Sequence, residues 1–418
     1  MQKNPKIITE HWGKIDPLKI EDYLAVGGYV SLRKFIEVLE PQKALEEVKL
    51  SGLCGRGGAG FLTGAKWEMA MGQKSKEKYF ICNLDESEPG TYKDRAIVEN
   101  NPHLLLEGII ISALTIGAKK AYIYINGNYA KQAEILEKVI AQAGENKFIG
   151  SKILGSAYSL EVEIFSGAGA YICGEETALI NSMEGNRGEP KLRPPYPTEK
   201  GLFGRPTVVN NAETVANIPW IIKNGGKKYA SIGLEASPGT KLFILGGAVK
   251  NKGVFEAPTG ITIHDAIDNL GGGLLRGKEF WFVQIGGASG RLVLEKELDQ
   301  KLGYGKMLTE TPRPGGESLQ IGSGAILVVD KLVNIYDLLL SWTGFFRRES
   351  CGKCIPCREG TFRLNEIMER LADGEIVPRD KEALDDILWT LENTTFCPLG
   401  KFASVAVRDA VSKIGILK

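Results

Sequence analysis

Residues 54–61 read CGRGGAGF, which sets Gly55, Gly57 and Gly60 at the spacing G-x-G-x-x-G. That spacing marks a dinucleotide-binding turn only where a strand ends and a helix begins, with the pyrophosphate on the helix N-terminus. Here the upstream stretch PQKALEEVKLSGL places Ala44, Leu45, Val48 and Leu50 among Glu and Lys at helical spacing, so a helix starting near Pro41 precedes the glycines and no β-run does. The fold usually implied by the spacing is therefore not expected. The local chemistry remains: Gly55, Gly57, Gly58 and Gly60 let backbone approach a planar or phosphorylated ligand, with Arg56 and Lys66 as nearby cations. The competing reading of the same residues is a surface linker.

Outward from this loop the chain alternates. YFICNLD at 79–85 reads as a short apolar strand, HLLLEGIIISALTIGA at 103–118 as a helix, AYIYING at 121–127 as a strand and NYAKQAEILEKVIAQAG at 128–144 as an amphipathic helix. The strand LEVEIFSG at 160–167, the turn AGAYICGEE and the helix ETALINSMEG continue an α/β pattern with parallel strands. The Pro-rich passage 189–206 is not expected to form regular structure, and NNAETVANIPWIIKNG reads as one helix capped by Asn210 or Asn211. Residues 241–330 look β-rich around one helix. Beyond them lie four amphipathic segments, enough for a helical bundle.

A chain of 418 residues, 43% apolar and 25% charged, is globular and long enough for two to four domains. Its 52 basic and 51 acidic residues balance, so no global field collects nucleic acid or an anionic membrane. The polar N-terminus argues against export, and the apolar window 104–118 is interrupted by Glu107 and too short to span a bilayer. Seven cysteines, four in one metal-like pattern, fit a reducing compartment rather than a disulfide framework.

That pattern is the strongest signal in the chain. Cys351, Cys354 and Cys357 form C-x2-C-x2-C, and Cys397 follows across a helical hairpin before Pro398. Three thiolates on one loop with a remote fourth suit a [4Fe–4S] cubane, whereas zinc sites usually take two separated pairs. Other loops are weaker signals. Asn83, Asp85, Glu86 and Glu88 follow a strand, where α/β sheets bind ligands; Glu175 and Glu176 open a helix and are equally ordinary capping carboxylates. Asn210, Asn211 and Thr214 open a helix whose N–H groups suit a phosphate, or are simply caps.

Taken in order, SGLCGRGGAGF, CNLDESEPGTYKDR, YICGEETALINSMEG, NNAETVANIP, ESCGKCIPCREGT and FCPLG resemble the NADH-binding, FMN-containing F-type subunit of respiratory complex I across nearly the whole chain. The resemblance implies an α/β multidomain protein: an N-terminal segment with the glycine loop over 1–70, a Rossmann-like flavin domain over 71–236, a ubiquitin-like β-grasp domain over 237–331 and a four-helix bundle with one [4Fe–4S] cluster over 332–418. It implies NADH dehydrogenase activity, with hydride passing to FMN and no acid or base catalyst required beyond an orienting role for Glu86. Gly55, Arg56, Gly57, Lys66, Asn83, Asp85, Glu86, Tyr171, Gly174, Glu175, Asn210, Asn211 and Thr214 are then expected at FMN, with Gly58 and Gly60 in the same loop. Phe61, Glu88, Glu176, Arg193 and Tyr196 are expected at NADH. Three positions depart from the pattern: Cys54 and Arg193 stand where the family has Arg and Lys, and Met69 where an aromatic would stack adenine. Expected partners are a small E-type subunit with a [2Fe–2S] cluster and a large Fe–S subunit, in the peripheral arm of a membrane complex at its cytoplasmic face. The same architecture serves as diaphorase in NAD-linked hydrogenases and formate dehydrogenases, which is the alternative host. A zinc-stapled module without catalysis is the rival of another class.

Overall fold

A computed structural model describes residues 5–304 and 318–417. Its first sheet holds β1 (Tyr79–Leu84), β2 (Lys120–Asn126), β3 (Glu161–Gly167) and β4 (Thr207–Asn211), all parallel, in the order β3-β2-β1-β4. Parallel neighbours need crossovers, and helices Pro102–Ile116 and Ala130–Glu145 supply them. β1 is an apolar run because both its faces are covered: Phe80, Ile81, Cys82 and Leu84 are fully buried.

The apolar window is helix Pro102–Ile116. Asn101 caps its start by accepting from the Leu104 N–H, Pro102 sits in its first turn, and Gly117 closes it in the left-handed region at φ 79°. Every residue of it is buried, including Glu107, whose carboxylate accepts from Tyr23 Oη and from the Tyr29 and Leu32 N–H groups. The element is a core helix satisfied from within, and among the described residues no helix is long and apolar enough to cross a membrane.

Two sequence expectations need correction. The Pro-rich passage contains a helical turn, Pro197–Lys200, because a proline at the first helical position loses no hydrogen bond. Immediately after it runs β4, a strand hidden in RPTVVNN by its brevity. The helix expected next is split at Asn217 into Ala212–Ala216 and Ile218–Asn224, with Pro219 in the first turn of the second, and its cap is Asn211, which accepts from the Glu213 N–H.

The second sheet comprises β5 (Thr240–Gly247), β6 (Gly253–Pro258), β7 (Phe280–Ile285), β8 (Arg291–Leu294) and β9 (Ala325–Asp330) in the order β8-β7-β9-β5-β6. Only β5 and β9, its first and last strands, pair parallel, which is the β-grasp arrangement. Four helices follow: Ile335–Glu349, Ile355–Ala372, Pro378–Thr394 and Pro398–Asp409. The bundle shares one apolar core with the turn after β3 and helix Glu176–Met183, through Ile172, Leu179, Leu339 and Phe346.

Gly108 lets helix Pro102–Ile116 lie against helix Ala212–Ala216, since a Cβ there would collide with the Val215 carbonyl. Gly108→Ala is therefore expected to destabilise the protein by about 1–3 kcal/mol despite the better helix propensity of alanine, measured by denaturant unfolding.

Candidate functional site

The chain runs from β1 outward to β2 and β3, then crosses back to β4 on the other side of β1. The crevice beyond the carboxyl ends of β1 and β4 is thus the topological switch point, where open α/β sheets bind ligands. Residues 83–88 leave β1 there, 211–214 leave β4, and the turn Tyr171–Gly174 arrives from β3. The two strands bring their asparagines side by side, Cys82 opposite Asn210 and Asn83 opposite Asn211.

The glycine loop lies across this crevice. A bridge between Cys54 and Leu62, with Gly55 N–H donating to Phe61 O at 2.8 Å, pinches it shut before helix Thr63–Met71. It is a closed loop following a helix, not a strand-to-helix turn. Arg56 N–H donates to Thr214 Oγ1 at 2.8 Å, and a Cβ on Gly57 would stand 3.1 Å from that of Asn211, so the loop backbone rests on the loop after β4. Gly58 and Gly60 have φ of 123° and 68°, where only glycine is unstrained.

The structure distributes the expected side chains unevenly. Asn83 donates to Gly174 O at 3.1 Å, tying the loop after β1 to the turn after β3. Asn210 accepts from Trp67 Nε1 at 2.7 Å. Glu175 is a capping carboxylate, accepting from the Thr177 and Ala178 N–H groups. Glu176 pairs with Lys66 at 2.7 Å and Arg193 at 3.0 Å; although burial opposes it, these cations hold its carboxyl below the usual range. Glu86 caps helix Lys93–Asn100 by accepting from the Asp94 and Arg95 N–H groups, and burial followed by Asp94 pushes it up to about 7. Asp85 is also raised to about 7 by burial, against a hydrogen bond from Ser87, and its Oδ2 is buried with no hydrogen-bond partner among the described residues. An orphaned carboxyl oxygen at the carboxyl end of β1 fits a ligand carrying hydroxyl or ring N–H donors, as FMN does.

Two expected residues point elsewhere. Arg56 enters with its backbone only: its guanidinium is fully buried against Tyr229 Oη, Pro238 O and the Tyr304 ring. Glu88 turns to the second sheet, where it accepts from Ser289 N–H and Oγ. Tyr196 is 51% exposed, as is Met69.

Behind the crevice lies a set that sequence reasoning did not single out. Lys93 contacts Asp94 at 2.7 Å and Glu213 at 3.1 Å, and Lys241 of β5 closes on the same Glu213 carboxylate. All four side chains are at most 4% exposed. Burial pulls Lys241 down to about 8 against the pull of Glu213. The only sequence signal was a lysine opening the apolar strand KLFIL.

The four cysteines line one cavity, with Ile172, Pro190, Lys353, Phe396 and Leu399 around them. Cys354 is the N-cap of helix Ile355–Ala372 and Cys397 the N-cap of Pro398–Asp409, so two helix N-termini converge where thiolate charge is needed. Burial raises the Cys357 and Cys397 thiols to about 11 and about 12, opposed by Ser350 and by the Leu399 N–H. Four sulfurs around a shared cavity on a three-plus-one loop pattern fit a [4Fe–4S] cluster. Tyr171 N–H donates to Glu349 at 2.8 Å and its ring packs on Phe345 and Phe346, joining the crevice to the helix that leads into the cysteines. The segment 187–193 also touches both places. Arg187 donates to Cys351 O and Lys353 to Pro190 O, while Arg193 meets Glu175 and Glu176.

Residues 48–220 match the family model described as the Nuo51 FMN-binding domain, and residues 337–414 the NADH-ubiquinone oxidoreductase-F iron-sulfur binding region. The chain is 44% identical to the F-type subunit of NADH-quinone oxidoreductase from Aquifex aeolicus (strain VF5), covering 94% of this chain and 89% of that one. It belongs to the family of NADH-quinone oxidoreductase F-type subunits. The Escherichia coli (strain K12) member is 40% identical over 94% of this chain and 88% of its own. The NADP-reducing hydrogenase subunit HndC of Solidesulfovibrio fructosivorans is 41% identical over 96% and 80%. Among solved structures, an NAD+-reducing [NiFe]-hydrogenase in its H2-reduced state superposes with a TM-score of 0.83 at 34% identity; the match covers 95% of this chain and 64% of that one.

Asp85 yields a pH prediction. An ordinary aspartate loses its proton near pH 4, whereas folded Asp85 keeps it to about 7. The fold binds this proton more tightly than the unfolded chain, so the group's contribution is complete below about pH 4 and lost as pH rises through about 7. Asp85→Asn, which cannot ionise, is expected to exceed wild type in unfolding free energy by on the order of 2 kcal/mol at pH 8 and by nothing at pH 4. Urea unfolding of FMN-free protein at both pH values measures this.

Proposed function

We propose that this member of the F-type family oxidises NADH at the β1/β4 crevice and sends the electrons out through a [4Fe–4S] cluster at Cys351, Cys354, Cys357 and Cys397. The observation that supports this most is the Tyr171–Glu176 segment, which borders the switch-point crevice and packs against the helix entering the cysteine loop. When bound, FMN accepts hydride from NADH and the cluster carries electrons onward singly. The protein's part is to bind, orient and charge the site. In this reading the glycine loop, Lys66, Asn83, Asp85, Asn211 and Thr214 hold FMN, Glu86 holds the loop after β1 in place, and Glu176 and Arg193 meet the dinucleotide. The flavin unit is assigned to 71–236, the β-grasp unit to 237–331 and the cluster bundle to 332–418.

By the same proposal the chain sits in the peripheral arm of a membrane complex at its cytoplasmic face, between a small [2Fe–2S] subunit and a large Fe–S subunit. A diaphorase role in a hydrogenase is the second reading, favoured by the likeness to the two hydrogenase chains. Anaerobic co-purification of partners, with iron, sulfide, zinc and flavin quantified, tests function and host together. Zinc without flavin would overturn the proposal.

Two substitutions probe the two centres. Cys354→Ser is expected to abolish the reduced-cluster EPR signal while FMN stays bound, because Cys354 stands at the N-cap position of a bundle helix remote from the flavin loops in sequence. Glu176→Gln removes a carboxylate that would repel the 2′-phosphate of NADP, so the ratio of kcat/KM for NADH over NADPH, with ferricyanide as acceptor, is expected to fall about tenfold.

A further inference from the structure

A buried ion pair is a poor stabiliser, since desolvation usually cancels its attraction and apolar residues of similar volume serve as well. The knot of Lys93, Asp94, Glu213 and Lys241 between the two sheets therefore asks for a purpose other than holding the sheets together. Its geometry leads to one residue. Asp94 Oδ2 accepts from Asn211 Nδ2 at 2.7 Å, while Asn211 Oδ1 accepts from Glu213 N–H at 3.0 Å and Lys93 Nζ at 3.3 Å. Both ends of the Asn211 carboxamide are thus fixed by members of the knot, and among the described residues one N–H is left over. The same residue is the wall on which Gly57 rests. Glu213 in turn is set from the far side, by Lys241 Nζ and by the Leu242 N–H at 2.8 Å, and Lys241 is anchored by Ser323 O at 3.1 Å.

We propose that Lys241, a residue of the second sheet, is a positioning residue of the flavin site that acts through Glu213 on Asn211. This rests on the reading that the crevice binds FMN. Without the Lys241 ammonium, Lys93 is the ion-pair partner left to Glu213 among the described residues, and Lys93 already serves Asp94. Lys93 is then drawn toward Glu213, away from Asp94 and the Asn211 oxygen. The carboxamide is freed to turn, and both its leftover donor and the clearance above Gly57 change with it. A residue that never touches the flavin thus sets how tightly it is held.

The test is a double-mutant cycle on the full-length protein, with FMN stripped and titrated back while flavin fluorescence is followed, and with urea unfolding of each variant alongside. Lys241→Met is expected to weaken FMN binding about tenfold, Asn211→Ala to weaken it by a similar factor, and the double variant to bind no worse than Asn211→Ala alone. Lys241→Gln, which retains hydrogen-bonding groups, takes the place of the methionine variant if that one does not fold, with the same expected loss. Unchanged FMN affinity in a folded Lys241 variant overturns the proposal, whatever happens to stability. Losses that simply add in the double variant also overturn it, because Lys241 then acts by another route. If wild type itself takes up no FMN, the proposed function fails instead, so the two failures are distinguishable.

Discussion

The parallel pairing of β1 with β4 is the constraint on which the rest depends. It joins strands 128 residues apart at their starts, Tyr79 opposite Thr207, and a one-residue slip would turn every side chain beyond to the other face. The register sets Asn83 beside Asn211, and from those neighbours the loops fan out to meet the glycine loop and the turn after β3. Because β1 has β2 on its other flank, the crevice can open only on one side and only at the carboxyl ends.

Much of this was legible in the sequence, for local reasons. Long periodic segments such as Ala130–Glu145, and punctuated apolar runs such as β1 and β2, carry their own signals of period, cap and breaker. The C-x2-C-x2-C run favoured a [4Fe–4S] cluster over zinc because a ligand pattern carried by one loop is local. What escaped was short or non-local. β4 is five residues long behind a proline, and Lys241 lies 28 residues from its partner Glu213, with nothing in either neighbourhood to announce the pair. Arg56 misled for a related reason: a cation in a glycine loop looks poised for a ligand until Tyr229, Pro238 and Tyr304, all more than 170 residues further along the chain, receive it.

Charge is handled differently in the two centres. Around the crevice, acids are buried and their protons held unusually late, as at Asp85 and Glu86, or paired with cations, as at Glu176. At the cysteines the elements that favour negative charge are backbone: two helix N-termini with Cys354 and Cys397 at their N-cap positions. Side-chain ion pairs can be re-tuned by single substitutions, whereas helix ends are set by the course of the bundle.

The segment 187–193 has a consequence for how the chain can change. Loops at a protein surface generally accept extra residues, and Pro- and Gly-containing ones most readily. This one is held at its start by the Cys351 carbonyl, in its middle by Lys353 and at its end by the paired acids Glu175 and Glu176. Its length is thereby a ruler laid between two centres. Here, a hydrophilic stretch that looks like a place for an inserted tag or a lineage-specific extension is one where a single added residue throws one end or the other out of reach.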